Sequence, residues 1–306
     1  MRTVFLGTSA FAADVLRRLS ASAHRPQLVI TRPDRPAGRG RRLVAPPVAV
    51  AATELGLALD QPTDVNAPPA RERIAAARPD VVCVCAFGAL IKEPLLSDYE
   101  MLNVHPSLLP RWRGAAPIER AIMAGDTETG VAIMRVTAGL DSGPVCLLGR
   151  DPIAPDDTFG TLSARLQVIG GDLLVRALDE RPPLVEQPQD GVTYAEKISA
   201  ADRRLDGSTT GAAELERVVR ALTPQVGAQV TVPDDSLLGV WRAALAPDEP
   251  PGPPGSLQPA DGRLLLSASP GVLELLEVQP AGGRAMAAGD YLRGHPLPSG
   301  GAGARP

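Results

Sequence analysis

The feature that most constrains the fold is the apolar run 81–91, which contains no charged side chain. Such a run is typical of a strand buried on both faces of a parallel sheet, and it is shorter than the ~18–20 residues that cross a membrane. Segments of strand and helix periodicity alternate around it. Further strands are predicted at 3–6, 28–31, 101–105 and 130–136, and helices after residue 9 and at 47–55, 71–77, 117–124 and 158–178. This order predicts a doubly wound α/β sheet.

The pattern changes after residue 180. Pro- and Gly-rich stretches there predict a linker at 184–206, between a first domain at 1–183 and a second at 207–298. One helical pattern, 212–222, is followed by short apolar runs at 229–232, 239–245, 264–268 and 272–278. Short strands at close spacing favour a small β-barrel for the second domain. Residues 299–306 are predicted to be a disordered tail.

The charge of the chain is balanced except in one segment. There are 31 Lys and Arg against 35 Asp and Glu, and a net charge of −4 gives no general indication of nucleic-acid binding. The segment 32–42 departs from this balance because only Asp34 opposes its five arginines, Arg32, Arg35, Arg39, Arg41 and Arg42. Its Pro and Gly residues predict a loop that contains neither helix nor strand.

Several classes of protein are disfavoured by what the chain lacks. With three cysteines and no signal-peptide pattern, it does not resemble a secreted, disulfide-rich protein. Cys83 and Cys85 have no zinc-ligand spacing and are predicted to be buried thiols in a reducing cytosol. The turn that begins at Gly7 lacks the G-x-G-x-x-G pattern, and Arg32 follows the second strand where a ribose-binding acid would stand. Both observations disfavour a nicotinamide dehydrogenase.

Three polar residues follow or end predicted strands. Asn103 and His105 are two apart at the end of a strand, so their side chains share one face, at the sheet edge where open α/β proteins bind ligands. Asp141 lies in a Gly- and Pro-rich loop after the next strand. Spacing alone leaves two interpretations open for each: a hydrogen-bonded core pair or a site for the first two, and a turn former or a site residue for Asp141.

Longer motifs resemble a known family. The stretch 103–118, NVHPSLLPRWRGAAPI, strongly resembles the central motif of the methionyl-tRNA formyltransferases, a branch of the folate-dependent formyltransferases. The similarity extends over nearly the whole chain and includes 5–8, 11–12, 32–40, 130–134, 139–143, 193–198, 279–282, Met286 and 291–294. The Asn, His and Asp set is shared by the wider family, whereas the arginine-rich segment and the motif near the C-terminus resemble the tRNA branch.

The resemblance implies a fold and a reaction. It implies a Rossmann-like N-terminal catalytic domain and an OB-like β-barrel that contacts tRNA. The implied reaction moves a formyl group from 10-formyltetrahydrofolate to the α-amine of methionyl-initiator tRNA, without a metal, in a cytoplasmic monomer. In the matching positions Asn103 would stabilise the oxyanion, His105 would stabilise it or transfer protons, and Asp141 would orient His105 and support its charge.

The resemblance also implies contacts with both substrates. Folate would be bound largely by main-chain groups, at Cys85, Ala86, Phe87, Gly88 and Leu90 and again at Ser107, Leu108, Leu109 and Pro110. The acceptor end of tRNA would be contacted by Arg39, Arg41 and Arg42. The second domain departs from the family, because Asp206-Gly207 replaces a usual Asp-Trp pair, and 206–306 holds 7 basic and 11 acidic residues where relatives present a basic face.

Two alternatives remain at this stage. One is a formyltransferase that acts on a small amine, such as glycinamide ribotide or an amino-sugar nucleotide, which would not need the arginines of 32–42. The other is a non-catalytic relative that binds folate or RNA. Binding alone would not require Asn103, His105 and Asp141 together, which disfavours the second alternative.

Overall fold

The computed structural model describes residues 1–37 and 42–296. The chain separates into two compact units built from discontinuous segments. The first comprises Met1–Pro117, Glu128–Pro152 and Ser163–Ala195, and the second comprises Ile118–Thr127, Ile153–Leu162 and the chain from Glu196 onward. The predicted domain boundaries and the linker at 184–206 remain predictions, and the predicted tail at 299–306 lies outside the described residues.

The first unit contains one central sheet of seven strands and two separate pairs of short strands. Its strands are β1 (Thr3–Gly7), β2 (Pro26–Ile30), β3 (Arg35–Ala37), β4 (Arg42–Val44), β5 (Leu59–Asp60), β6 (Val81–Cys85), β7 (Met101–His105), β8 (Arg113–Gly114), β9 (Glu128–Arg135), β10 (Val145–Pro152) and β11 (Tyr194–Ala195). Its helices are α1 (Ala10–Ser20), α2 (Pro47–Glu54), α3 (Pro68–Ala77) and α4 (Leu95–Asp98). Two further helices, α5 (Pro117–Ala124) and α6 (Phe159–Glu180), have residues in both units.

The central sheet has the order β10-β9-β7-β6-β1-β2-β5, and the two separate pairs are β3 with β4 and β8 with β11. The five strands from β7 to β5 are parallel, and β9 and β10 extend the sheet by antiparallel pairing. All five residues of β1 and of β6 are buried, as expected for strands covered on both faces. Helix α1 follows β1 directly and begins where Ser9 Oγ accepts a hydrogen bond from Ala12 N. The predicted α/β fold is confirmed.

Only the first part of the run 81–91, which was predicted to be one strand, forms a strand. The strand β6 ends at Cys85, because Ala86 (φ 41°) and Gly88 (φ 70°) turn the chain through left-handed conformations. Phe87 and Ile91 remain buried after the turn. The run is therefore apolar for two reasons, first as a central strand and then as a loop packed against the core.

The arginine-rich segment differs from the predicted loop. Strands β3 and β4 pair antiparallel, with Pro36 opposite Leu43. Pro is tolerated there because this two-stranded ribbon is separate from the main sheet and leaves edges unpaired. Residues 38–41, between the two strands, lie outside the described part of the chain.

The second unit contains a curled antiparallel sheet. Its elements are α7 (Ala212–Leu222), β12 (Ala228–Thr231), β13 (Leu237–Leu245), β14 (Leu257–Ala260), β15 (Arg263–Ser267), β16 (Val272–Gln279), β17 (Met286–Ala287) and α8 (Ala288–Gly294). The sheet order is β12-β13-β16-β15-β14, β17 pairs with β16, and α7 packs on β13 and β16. Register shifts around Arg242 bend β13. The short strands predicted for this domain form one antiparallel sheet, and its OB-like closure stays a prediction.

The two cysteines of β6 are free thiols. Cys83 and Cys85 are free and buried in β6, as predicted, and burial raises the pKa of Cys83 to about 12 and that of Cys85 further. Within 1–37 and 42–296, no helix is long and apolar enough to cross a membrane. No group of three His, Cys, Asp or Glu side chains in those ranges could hold a metal ion.

A partly buried ion pair stabilises the second unit. Arg120 Nη1 donates to Asp202 Oδ1 at 2.6 Å, and Ser199 N and Oγ donate to Asp202 Oδ2 at 2.8 and 2.6 Å. These bonds, that of Arg120 above all, lower the pKa of Asp202 to about 2, although burial opposes the shift. Both side chains are about one-fifth exposed, so solvent screens the pair only in part.

We expect Asp202→Asn to lower the free energy of unfolding by about 2 kcal/mol at pH 7. Because the folded-state pKa lies below the reference value of 3.8, this stabilisation is present above about pH 4 and is lost as the pH falls through about 2. Urea unfolding between pH 7 and pH 2.5 measures it. The control is Asp290→Asn, which removes an exposed pair with Arg293 and should change stability little. Equal losses in both variants at pH 7 would contradict the assignment.

Candidate active site

The carboxyl end of β7 carries Asn103 and His105. Their side chains point to the same face because they are two residues apart in a strand. The His105 ring is buried, and its Nε2 lies 2.9 Å from the main-chain oxygen of Trp112. A carbonyl oxygen only accepts, so Nε2 carries the hydrogen and Nδ1 is the remaining position on the ring. Asn103 is partly exposed, and its side chain makes no hydrogen bond to any described residue.

Asp141 reaches His105 from the loop between β9 and β10. Its Oδ2 accepts a hydrogen bond from Gly114 N at 2.8 Å and lies 3.7 Å from His105 Nδ1. That second distance is too long for a hydrogen bond but is within the range of an ion pair with a protonated ring. The three predicted catalytic residues therefore lie at one end of one sheet, with a carboxylate beside an imidazole nitrogen.

A short segment between the two side chains positions both. Trp112 provides the oxygen for His105, and Gly114 provides the N–H for Asp141. The segment is held from the other side by Thr193, whose Oγ1 accepts from Trp112 N at 2.9 Å and whose main-chain oxygen accepts from Arg113 N at 2.9 Å.

Gly114 cannot carry a side chain in this arrangement. Its φ is 124°, and a Cβ would stand 2.6 Å from the main-chain oxygen of Ala195. The backbones of β8 and β11 need this close approach because they pair in parallel at Gly114 and Ala195. These positioning roles were not predicted from the sequence, although the Gly in the 103–118 motif and the threonine in the 193–198 motif were visible there.

The predicted folate-binding loop follows the neighbouring strand β6. It contains Cys85, Ala86, Phe87, Gly88 and Leu90. Thr8 Oγ1 donates to Phe87 O at 2.7 Å, an Arg32 N–H donates to Gly88 O at 3.0 Å, and Asn66 donates to Leu90 O at 2.9 Å. A Cβ built on Gly88 would meet no atom within 4 Å, so the main chain is open to a ligand there. The loop starts at the same sheet edge as His105, because β6 and β7 are parallel neighbours.

The second predicted folate segment continues directly from His105. It contains Ser107, Leu108, Leu109 and Pro110. Ser107 is buried, and its Oγ donates to Arg111 O at 2.6 Å. Leu109 packs with Ala132 and Met134 of β9. These contacts give the segment a fixed path beside the candidate site.

The predicted tRNA contacts are only partly described. Arg42 is exposed at the start of β4, while Arg39 and Arg41 lie outside the described residues. The described geometry does not bring Arg42 into contact with Asn103, His105 or Asp141. Its segment nevertheless begins after β2, whose carboxyl end is at the same edge of the sheet as that of β7.

Comparison with family models decides the relationship. Residues 1–178 match the model described as formyl transferase, and residues 197–296 match the model of the formyl transferase C-terminal domain. The chain belongs to the formyl transferase family. The family inferred from the sequence motifs is confirmed.

Curated relatives of this formyl transferase align over almost its whole length. The chain is 43% identical over 303 residues to methionyl-tRNA formyltransferase of Methylococcus capsulatus, covering 97% of this chain and 98% of the relative. It is 42% identical to the protein of that name from Dechloromonas aromatica, covering 97% of each.

Solved structures similar to this formyl transferase share its fold. HypX from Aquifex aeolicus, in complex with tetrahydrofolic acid, has a TM-score of 0.65 at 18% identity, over 95% of this chain and 47% of that one. This chain thus spans about half the length of HypX. An N-formyltransferase from Helicobacter canadensis, in complex with folinic acid and dTDP-3-aminofucose, has a TM-score of 0.65 at 13% identity, over 89% of this chain and 98% of that one.

Proposed function

We propose that this chain transfers a formyl group from 10-formyltetrahydrofolate to the α-amino group of methionyl-initiator tRNA, giving N-formylmethionyl-tRNA for translation initiation. Relatives of this name at 42–43% identity, which align over nearly the full length of both chains, support the acceptor. A fold neighbour in complex with tetrahydrofolic acid supports the donor class. One observation supports the proposal most directly: the Asp141 carboxylate lies 3.7 Å from Nδ1 of His105, and His105 shares its strand with Asn103.

Asn103 is proposed as the donor to the formyl oxygen. Negative charge develops on that oxygen when the amine attacks the formyl carbon, and an amide N–H directed at it stabilises the transition state. The Asn103 amide suits this role because it makes no hydrogen bond to any described residue, which leaves its N–H groups available to the substrate. Losing one such donor costs about 2.7–4 kcal/mol of transition-state stabilisation in comparable sites.

His105 and Asp141 are proposed to handle the proton and its charge. The attacking amine loses a proton, and the departing nitrogen of the donor gains one. Because Nε2 is bound to Trp112 O, Nδ1 is the position that can take this proton, and the Asp141 carboxylate 3.7 Å away supports the resulting imidazolium. The same nitrogen can then release the proton to the leaving group.

The loop 85–90 and the segment 107–110 are proposed to bind the formyl donor. When bound, the donor supplies the one-carbon unit. Space around the main chain at Gly88, where a Cβ would meet no atom within 4 Å, leaves this loop accessible to a ligand at the end of β6. Three carbonyl groups of this loop are held by Thr8, Arg32 and Asn66, so the loop keeps its shape without a ligand.

We further propose the assignment of the remaining parts. Residues 1–183 form the catalytic domain, 184–206 the linker and 207–298 the OB-like domain that contacts tRNA. The enzyme would act as a monomer. It would act in the cytoplasm, because translation initiation uses its product there.

One assay tests the proposed function. The purified chain is supplied with 10-formyltetrahydrofolate and, separately, with initiator Met-tRNA, elongator Met-tRNA, glycinamide ribotide or an amino-sugar nucleotide. Formylation of initiator Met-tRNA above the other three supports the proposal. Preferential formylation of either small amine, or binding of folate without transfer to any acceptor, would overturn it in favour of the corresponding alternative.

We expect the arginines of the 32–42 segment to bind tRNA phosphates rather than folate. Arginine suits this role because its planar guanidinium donates two parallel hydrogen bonds to phosphate. Changing Arg39, Arg41 and Arg42 together to Ala should therefore flatten the slope of log affinity against log salt concentration for Met-tRNA by about 0.9 per lost contact. Filter binding between 50 and 200 mM salt measures the slope, and folate binding is measured beside it.

The matched control removes three arginines elsewhere in the first unit: Arg2, Arg176 and Arg181. Each pairs with an acidic residue, and Arg2 precedes β1, at the opposite end of the sheet from the candidate site. The control should leave the salt slope for Met-tRNA unchanged. An unchanged slope in the Arg39, Arg41 and Arg42 variant, or an equal loss of folate affinity, would contradict the assignment.

A further inference from the structure

A buried glutamine connects the Asp141 loop to the segment beneath His105. Gln187 is 6% exposed and lies after α6, in the stretch predicted from sequence to be a linker. Its Nε2 donates to the main-chain oxygens of Asp141 at 2.8 Å and Gly143 at 2.7 Å. Its Oε1 accepts two hydrogen bonds from Arg113, at 3.0 Å from Nε and 2.7 Å from Nη2. All four hydrogen-bonding positions of the side-chain amide are thereby satisfied.

The chemistry of these partners requires a glutamine. Two carbonyl oxygens need an N–H donor on one side, and a guanidinium needs an acceptor on the other. A glutamate could still accept from Arg113 but would turn a second oxygen toward the carbonyls of Asp141 and Gly143 and repel them. An apolar residue would leave the guanidinium of Arg113, a residue that is only 8% exposed, without this acceptor.

The loop that Gln187 holds has a conformation that needs support. Asp141 has φ 43°, in the left-handed region that non-glycine residues rarely adopt. At Gly143 a Cβ would stand 2.0 Å from the main-chain oxygen of Arg135, so the turn is packed closely against the end of β9. The two bonds from Gln187 lie on either side of Ser142 and fix the main chain from which the Asp141 carboxylate projects.

Gln187 and the catalytic pair also share one segment of support. Arg113 binds Gln187 with its side chain, while its neighbours Trp112 and Gly114 bind His105 and Asp141. Asp141 is thus held at two points: Gly114 N binds its side-chain carboxylate, and Gln187 binds its main-chain oxygen. The separation of 3.7 Å between Asp141 Oδ2 and His105 Nδ1 depends on both supports.

We propose that Gln187 is a positioning residue that acts on formyl transfer through Asp141, with Arg113 orienting its amide. The kinetic part of this proposal rests on the proposed function. It gives the start of the proposed linker, around residue 187, a part in building the active site in addition to connecting the two domains. Displacing a catalytic group by about 1 Å costs on the order of 100-fold in rate, which sets the scale of the effect.

The test is Gln187→Glu, which keeps the side-chain length and the Arg113 contact but removes both donors to the Asp141 loop. We expect kcat to fall about 10- to 100-fold, while the KM values for the formyl donor and for Met-tRNA change less than about threefold. The matched control is Gln189→Glu, the same substitution at an exposed position two residues later, which should behave as wild type. Gln187→Met, which also lacks the donors but adds no charge, should lower kcat in the same way.

A second readout does not require activity. The three histidines, His24, His105 and His295, can be followed by NMR of their imidazole nitrogens. In Gln187→Glu and Gln187→Met, only the His105 signals should move, because Asp141 is displaced from Nδ1. If the variants fold with unchanged kcat, or the His105 signals overlay those of wild type, the positioning role is wrong. If the wild-type chain formylates no acceptor, the proposed function fails, and the histidine spectra alone decide the role of Gln187.

Discussion

Replacing His105 by alanine is expected to lower kcat for formyl transfer at least ~100-fold, and Asn103→Ala should do the same. Each variant removes one group that acts on the reacting atoms: the ring that takes the proton, or the amide that stabilises the formyl oxygen. The scale is that of losing one oxyanion donor, about 2.7–4 kcal/mol in transition-state free energy. Single-turnover formylation of Met-tRNA measures the effect on the chemical step.

Affinity for the formyl donor should change little in either variant. The proposed donor contacts lie in 85–90 and 107–110, where the main chain is held by bonds that do not involve the Asn103 or His105 side chains. His295→Ala is the control, because this histidine stacks on Tyr291 in the second unit. Turnover within a few-fold of wild type in either His105→Ala or Asn103→Ala would remove that residue from the catalytic set.

Asp141→Asn is expected to lower kcat by about 100-fold and leave the fold intact. Asparagine has the same shape, its oxygen can accept the bond from Gly114 N, and the main chain stays bound to Gln187. The charge beside His105 Nδ1 is lost, so the imidazolium is no longer supported. Single-turnover formylation of Met-tRNA at one fixed pH measures the loss.

Asp261→Asn is the matched control for this variant. Asp261 is an exposed aspartate in a turn of the second unit, with a left-handed φ of 49° that resembles that of Asp141. It tests whether the exchange of Asp for Asn at such a backbone position has an effect of its own. If kcat of Asp141→Asn stays within a few-fold of the wild-type value, Asp141 serves only to form a turn.

The strand β7 shows which structural features the local sequence predicts. Its alternation placed Asn103 and His105 on one face, and the structure has the strand at Met101–His105. Side-chain direction in a strand depends only on parity along the chain, which is a local property. The neighbouring run 81–91 was predicted less well, because the left-handed turn at Ala86 is invisible in a sequence of apolar residues.

The paired strands β3 and β4 and the edge strand β10 were also missed by prediction from local sequence. The proline and glycine residues of 32–42 predicted a loop, yet Arg35–Ala37 and Arg42–Val44 pair with each other. Strand β10 was not predicted at all, because its residues 145–152 alternate weakly and include Gly149 and Pro152. Its strand conformation comes from pairing with β9, a partner that local periodicity does not identify.

By itself, the sequence determined the α/β order of the first unit, the family through the motif at 103–118, and the identities of Asn103, His105 and Asp141 as candidates. Only the tertiary structure decided that Asp141 meets His105 and that Gln187, 46 residues further along the chain, supports Asp141. The physical reason is that hydrogen bonds between distant segments depend on where the whole fold places their ends. A buried glutamine between two Pro-rich stretches has the sequence appearance of a linker, and its burial and four partners exist only after folding.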